Sequence, residues 1–426
     1  MKTFPVAGFH CLLFLILACL GVPAHATAAP ASPAAEPPVE WIDPDTGHRV
    51  IRLSQEAGSS SFYFHQNAYS VDGSKLVMTT PGGISTVNLQ TRRIEKIVSG
   101  KVEALVTGRK TGNLYYVRNG VVCATDLDTH ATREVARLLT PALAASTQLT
   151  VNCDETLLVG IAADPDGQTV PRTPPDGLGG TLAARWAAGT PMMIYTIDLK
   201  TGAFRKIHTE NDWTNHLQCS PTDPSLIMFC HEGPWQFNDR IWTIHTDGTG
   251  LRLMHERTMN MEIAGHEFFS ADGRTVWYDL QTPRSTVFWL AGVDLATGHR
   301  TWYHLERNEW SVHYNVSRDG QLFAGDGGGP NSVAAHSPDD KLLSPPANGQ
   351  WIYLFHPVAV QGQALTHGHD LIQTGYFQSE RLVNLGHHDY KWEPNLTFSP
   401  DGKWIIFRSN MHGADHVYAV EIARAQ

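Results

Sequence analysis

Several things are scarce in this 426-residue chain, and each scarcity excludes something. Long helical periodicity is missing; the one stretch that predicts a helix is "REVARLLTPALA", residues 133–144. There is no basic run. With 32 Lys and Arg against 42 Asp and Glu the formal charge is −10, so nothing is available to neutralise a phosphate backbone, and a nucleic-acid partner is not expected. An anionic substrate would have to be drawn by a local cationic site, because the overall field repels it. No Cys-x-x-Cys or His-Glu-x-x-His metal motif occurs, no Gly-x-Ser-x-Gly nucleophile elbow, and no phosphate-cradling loop. "GDGGG" at Gly325–Gly329 lacks the helix and lysine such a loop needs.

The N-terminus reads as an export signal, residues 1–26. Lys2 precedes the apolar run "FHCLLFLILACLGV", which is too short to span a bilayer comfortably, and "AHA" at Ala24–Ala26 has the small-x-small form of a cleavage site. An alternative lipoprotein reading would place a lipid, and hence a membrane anchor, on Cys19. A Pro/Ala-rich linker follows over residues 27–40, and one domain is expected over residues 41–426, in the periplasm or secreted. The exported part keeps Cys123, Cys153, Cys219 and Cys230, too few for a disulfide scaffold. Cys219 and Cys230 flank one predicted hairpin and could pair across it, although spacing alone does not fix connectivity. No oligomeric state is implied.

What is present is a repeat. Seven times a short apolar strand runs into a polar turn: "QNAYSVDG", "EALVTGRK", "QLTVNCDE", "HLQCSPTD", "HEFFSADG", "HYNVSRDG" and "NLTFSPDG". Aligned on Ser70, Thr107, Asn152, Ser220, Ser270, Ser317 and Ser399, the copies lie 37 to 82 residues apart. That is the period of propeller blades with insertions. Each turn leads into a second apolar run, and a third strand then ends in an Asp-x-x-Thr-Gly-like turn. The last copy stops after its third strand, at "HVYAVEIARAQ", and the missing piece stands at the other end as "WIDPDTGHRVIRL". The expectation is an all-β, seven-bladed β-propeller whose last blade is closed by an N-terminal strand, which removes two open sheet edges.

Four residues before each anchor stands a polar side chain: Gln66, Glu103, Gln148, His216, His266, His313 and Asn395. In a propeller the first strand of each blade lines the channel, so these positions converge at one mouth. The loops "CHEGPWQFNDR" (with His231 and Arg240), "DLQTPRS" (with Arg284), "GDGGGPNS" and "SNMHGADH" open on the same face. For Gln66, Glu103 and Gln148 the plain expectation is a hydrogen bond to the neighbouring blade. Three histidines in successive blades point instead to metal binding or to proton transfer near neutral pH.

The segments "FCHEGPWQFNDRIWTIHTDGTGLR", "GHEFFSADG" and "FSPDGKWIIFRSN" resemble the oligogalacturonate lyases, propeller enzymes that degrade short pectin fragments, and the resemblance runs from about Trp41 to the C-terminus. It implies β-elimination: a base takes the C5 proton beside the uronate carboxylate, the C4 glycosidic oxygen leaves, and a 4,5-unsaturated uronate forms. By the same resemblance His266 matches the catalytic base, Arg240 the arginine beside the substrate carboxylate, and His313 a ligand of a manganese-type site. His216, His231, Gln66 and Arg284 are expected to border the substrate. The family's last repeat opens with His-x-His preceded by a glutamine; this chain has "HHDYKWEPN" instead. Glu393 and Asn395 take the histidine places, Tyr390 the glutamine's, and His388 could substitute only with a small shift. Oxygen donors suit a hard divalent ion, Mn2+ as in the family or Mg2+ or Ca2+. Two alternatives stand beside this: a lyase for another uronate oligomer, and a non-catalytic propeller that binds sugars or proteins.

Overall fold

A computed structural model describes residues 36–138, 140–144, 148–174, 180–328, 350–360 and 371–425. The export signal, Cys19, most of the linker and the end of "GDGGGPNS" lie outside the described residues. Pro38–Gln426 is one compact unit. Its strands form antiparallel meanders in the order the repeat dictates. The first holds Lys75–Thr80, Gly83–Asn88 and Ile94–Ser99; the second Glu103–Thr107, Asn113–Arg118, Val121–Asp126 and Thr132–Arg137. The third holds Gln148–Val151, Leu157–Ala163, Met192–Asp198 and Phe204–Glu210; the fourth Trp213–Cys219, Leu226–Glu232, Ile241–His245 and Arg252–Leu253. The fifth is Ile263–Phe269, Thr275–Gln281, Phe288–Asp294 and Arg300–Leu305. The sixth is Tyr314–Val316, Phe323–Gly325, Trp351–Ala359 and Gln373–Asn384. These two merge into one eight-stranded sheet, because Arg300–Leu305 pairs in parallel with the long strand Gln373–Asn384.

The last sheet joins the two ends of the chain. Thr397–Phe398, Trp404–Ser409 and His416–Arg424 run side by side, His48–Arg52 pairs antiparallel with His416–Arg424, and Glu40–Ile42 adds a fifth strand outside it. The repeated turns are built by their own side chains. Ser70, Ser270, Ser317 and Ser399 each donate Oγ–H to the Asp two residues on at 2.6 Å. Asp126, Asp198 and Asp294 accept from the backbone of the following Thr-containing turn.

Hydrophobic clusters bridge consecutive sheets: Leu158, Tyr195 and Val122 join the third meander to the second, and Val276, Met228 and Ile241 the fifth to the fourth. Ile51, Ile406 and Val417 of the last sheet share a cluster with Leu76, Val77 and Met78 of the first. One cavity is lined by Gln66, which precedes the first meander, and by Arg109, Gln218, Phe268, Asn315 and Thr397 from or beside the first strands of five others, so these segments face a common centre.

Three expectations are corrected. Residues 133–144 begin as strand, Thr132–Arg137, followed by the single helical turn Pro141–Ala144; the strand continues a meander whose edge it completes. The longest helix, Gly180–Ala188, lies instead in the insertion between Leu157–Ala163 and Met192–Asp198. All four described cysteines are free, and Cys219 stands opposite Ile227, three residues along the strand from Cys230. The first meander also lacks an innermost strand: residues 59–70 make only isolated bridges, Ser60 to Thr79 and Tyr69 to Leu76.

Ile51 is 3 % exposed and packs on the first sheet. Ile51→Ala should therefore cost about 2–5 kcal/mol of unfolding free energy, measured by urea denaturation; an unchanged midpoint would mean that the N-terminal strand is not integral to the fold.

Candidate functional site

Two strands reach the site through the same irregularity. In Trp213–Cys219 the residues His216 and Leu217 stand opposite Phe229 alone, and in Ile263–Phe269 His266 and Glu267 stand opposite Tyr278 alone. Each is a β-bulge, two residues against one, which bends the strand and re-aims a side chain. His216 (φ 51°), His266 (φ 48°) and Asn395 (φ 52°) all occupy the left-handed region, unusual for residues with a Cβ and a feature that clusters at functional sites.

The bulges bring His266 beside its counterparts. Its ring centroid lies 4.8 Å from that of His313, 6.0 Å from that of His216 and 5.7 Å from the Trp235 ring. Arg240, 2 % exposed, lies alongside. Its Nη1 donates to Glu232 Oε1 at 2.7 Å, its Nε to Glu267 Oε2 at 3.2 Å, and its Nη2 lies 3.3 Å from His216 Nδ1. Glu267 Oε1 is 3.1 Å from the same His216 nitrogen, and Trp235 Nε1 donates to Glu232 Oε1 at 2.8 Å. Arg240 is thus clamped by two buried carboxylates, not paired with Asp239, whose partner is Arg257. Burial alone would raise the Glu267 pKa, but Arg240 and His216 outweigh it and hold the carboxyl well below its usual range. Burial, reinforced by His313, His216 and Arg240, pushes the His266 pKa well below 6.5. His266 is therefore a neutral imidazole near pH 7, and its buried Nδ1 has no hydrogen-bond partner.

His313 is oriented by Asp326. The carboxylate accepts from His313 N–H at 2.7 Å, binds His313 Nδ1 at 2.8 Å and accepts from Asn395 N–H at 3.2 Å. Such a bond fixes the tautomer and directs the Nε2 lone pair outward, as the second shell of a metal site does. Nε2 lies 3.2 Å from the Tyr63 hydroxyl and 3.7 Å from Glu393 Oε2. Asn395 Nδ2 donates to the Glu393 carbonyl at 3.0 Å, which leaves Asn395 Oδ1 buried and without a partner. Two donors on one hard divalent ion stand roughly 3–4.5 Å apart, given bonds of about 2.0–2.6 Å. His313 Nε2 and Glu393 Oε2, 3.7 Å apart, fit such an ion, and the orphaned Asn395 Oδ1 is a further oxygen donor of the same strand start.

The remaining sequence candidates go elsewhere. His388 bonds Ser409 Oγ through Nδ1 at 3.0 Å and lies edge-on to Tyr390. Tyr390 itself is buried and donates to the Asp326 carbonyl at 3.2 Å, whereas the buried His388 Nε2 has no hydrogen-bond partner and stays available as a ligand. His231 alternates to the other face of its strand from Glu232 and lies 2.9 Å from Glu210 Oε1, in a separate cluster with Asp212. Gln66 accepts from Tyr63 N–H at 3.0 Å and so closes the turn at residues 63–66, without reaching the histidines through its own side chain. Arg284 is half-buried on the loop after Thr275–Gln281, its N–H donating to Met261 O. Asp279, expected at that loop, is wholly buried under Trp310 Nε1, and burial pushes its pKa up to about 7.

Sequence reasoning passed over Tyr63, Phe64 and His65. They fill the space left by the missing inner strand: Phe64 stacks on His313 at 4.5 Å, and His65 lies 6.3 Å from His216. No motif signals them. Glu232, Glu267 and Asp326, by contrast, stood unread inside "CHEGP", "HEF" and "GDGGG".

Antiparallel meanders that face a common centre, with a neutral buried imidazole, a clamped guanidinium and oxygen donors beside it, describe a propeller-like protein with an enzyme-like centre. The family model described as oligogalacturonate lyase matches residues 39–425, and the chain belongs to that family. It is 25% identical over 407 residues to an oligogalacturonide lyase of Pectobacterium atrosepticum and 26% identical over 403 residues to an oligogalacturonate lyase of Dickeya dadantii; each match covers 90% of this chain and 95% of the relative. Among solved structures, an oligogalacturonate lyase in complex with manganese superposes with a TM-score of 0.71 at 24% identity, over 90% of this chain and 96% of that one. The Vibrio parahaemolyticus oligogalacturonate lyase gives 0.69 at 21%, with the same coverage.

Five described histidines carry lowered pKa values, His266, His388 at about 4, His65 at about 3, His412 and His416, in each case first through desolvation. The unfolded chain, with histidine near pKa 6.5, then binds more protons than the native one as the pH falls below that value. Stability is retained above about pH 6.5 and should decline steadily toward pH 4. Urea midpoints across that window would check this, and a flat profile would contradict it.

Proposed function

We propose that this chain cleaves short oligogalacturonides by metal-assisted β-elimination, releasing 4,5-unsaturated uronates. What carries the proposal is His266, a neutral base set between Arg240 and the donors His313, Glu393 and Asn395. His266 would take the C5 proton; the C5–H electron pair becomes the C4–C5 double bond, the C4–O bond breaks, and the leaving oxygen takes a proton from water. A positioned base of this kind contributes roughly 10²–10⁴ in rate. Arg240 has Nη2 free of carboxylate contact and would offer it to the substrate carboxylate, where charge grows as C5 is deprotonated, worth on the order of 10²–10³. Glu232 and Glu267 hold that guanidinium in one pose. A divalent ion, Mn2+ foremost, would act as a Lewis acid toward that carboxylate when bound, and Asp326 keeps the His313 Nε2 lone pair available for it.

The architecture that goes with this is a seven-bladed propeller over residues 41–426, closed by the strand at His48–Arg52. Residues 1–26 would be an export signal and 27–40 a linker, and the enzyme would work in the periplasm or outside the cell. The replacement of histidine by Glu393 and Asn395 favours a second reading, a lyase for glucuronate- or iduronate-containing oligomers.

Mature protein given di- and trigalacturonate should produce the ultraviolet absorbance of an unsaturated uronate. A panel of uronate oligomers separates the two readings, and no rise with any of them, with or without Mn2+, would sink both. His266→Ala should lower kcat by about 10²-fold or more, and Arg240→Ala by a similar factor, with the fold intact by circular dichroism. Glu393→Ala and Asn395→Ala should each weaken Mn2+ binding about tenfold or more by titration calorimetry; unchanged binding would remove them from the ligand set.

A further inference from the structure

The central cavity has a second feature that the lyase chemistry does not use. Arg109 and Arg318 both line it, from the turn after Glu103–Thr107 and the turn after Tyr314–Val316. Their meanders are not neighbours in sequence, yet partial desolvation at the cavity mouth and the nearby charge of Arg318 lower the Arg109 pKa, although both arginines reach solvent. Among the described residues neither arginine pairs with a carboxylate. The rest of the wall holds no Asp or Glu; it mixes the amides Gln66, Asn67, Gln218 and Asn315 with apolar side chains such as Phe64, Phe268 and Phe398. The adjoining recess, which Arg109 also lines, has none either.

That composition runs against the rest of the protein. In a chain with ten more acidic than basic residues, a concave site holding two cations and no anion is not the average surface. Like charges held together without a counter-ion cost free energy, and an oxyanion between them removes that cost. Guanidinium forks bind carboxylate and phosphate-type oxygens in pairs, and the neighbouring amides supply further donors. The cavity measures about 120 Å³, well below the roughly 300–1,000 Å³ of sites for larger organic ligands. That enclosed space suits a small anion.

We infer that Arg109 and Arg318 form a binding site for one small oxyanion, a carboxylate or a phosphate-type group, separate from the lyase centre. His266, Arg240 and Glu393 do not line the cavity; Phe64 and His65 stand between the two places. The site therefore lies on the far side of that segment from the base.

Titration calorimetry on the mature protein tests this, with inorganic phosphate, sulfate and monomeric galacturonate in separate arms at ionic strength matched with chloride. The expected result is saturable binding near one equivalent for at least one of them. It should weaken about tenfold or more in Arg109→Ala and again in the Arg109→Ala/Arg318→Ala double variant, while trigalacturonate turnover stays at the wild-type rate. The phosphate and sulfate arms would identify an inorganic ligand, the galacturonate arm a uronate carboxylate. Absence of saturable binding in every arm would overturn the inference, as would unchanged binding in the double variant. Galacturonate binding lost in Arg240→Ala but kept in the double variant would assign that ligand to the lyase centre and would equally overturn it.

Discussion

One guanidinium between two buried carboxylates holds this site together. Arg240, Glu232 and Glu267 are almost completely removed from water, and such a group is costly to bury unless every charge is met. Here each one is: Glu232 takes Nη1 and the Trp235 indole N–H, while Glu267 takes Nε and contacts His216. The arrangement ties the fourth meander to the fifth, because Glu232 and Arg240 belong to one and Glu267 to the other. Removing Arg240 would leave two buried carboxylates without their cation, at a cost of about 3–5 kcal/mol. The same rigidity is what a catalytic guanidinium needs, since it has no reorganisation left to perform when charge develops on the substrate.

Asp326 plays the corresponding part on the other side of His266. It binds His313 twice and Asn395 once, so a single carboxylate orients two of the three proposed donors. Between the two anchors His266 has little freedom and no buried partner for Nδ1. Its low basicity comes from burial and from the positive side of its surroundings. The balance suits a group that must be empty of protons before it can accept one.

The repeat made the fold legible. Seven copies of one strand and turn located the meanders, and the truncated last copy located the pairing of the two chain ends. The positions four before each turn were legible as a set because a polar residue recurs there in every copy; the alternation that decides which way each side chain points was not. His231 and Glu232 are adjacent, and only the pleat separates a residue in the Arg240 clamp from one bound to Glu210. The segment at Tyr63–His65 left no trace in the sequence, because it replaces a strand instead of extending a pattern. Arg109 and Arg318 sat in plain view beside the anchors Thr107 and Ser317, but only the fold shows that the two turns meet.

The bulges at His216–Leu217 and His266–Glu267 make one residue in each pair surplus to the sheet. A hairpin one residue shorter at either place would pair regularly, keep its apolar core and its Ser-containing turn, and simply carry no inward histidine. Gain or loss of chemistry on this scaffold is thus within reach of a single-codon insertion or deletion, an event that substitution-based comparison of relatives would not register as a change of fold at all.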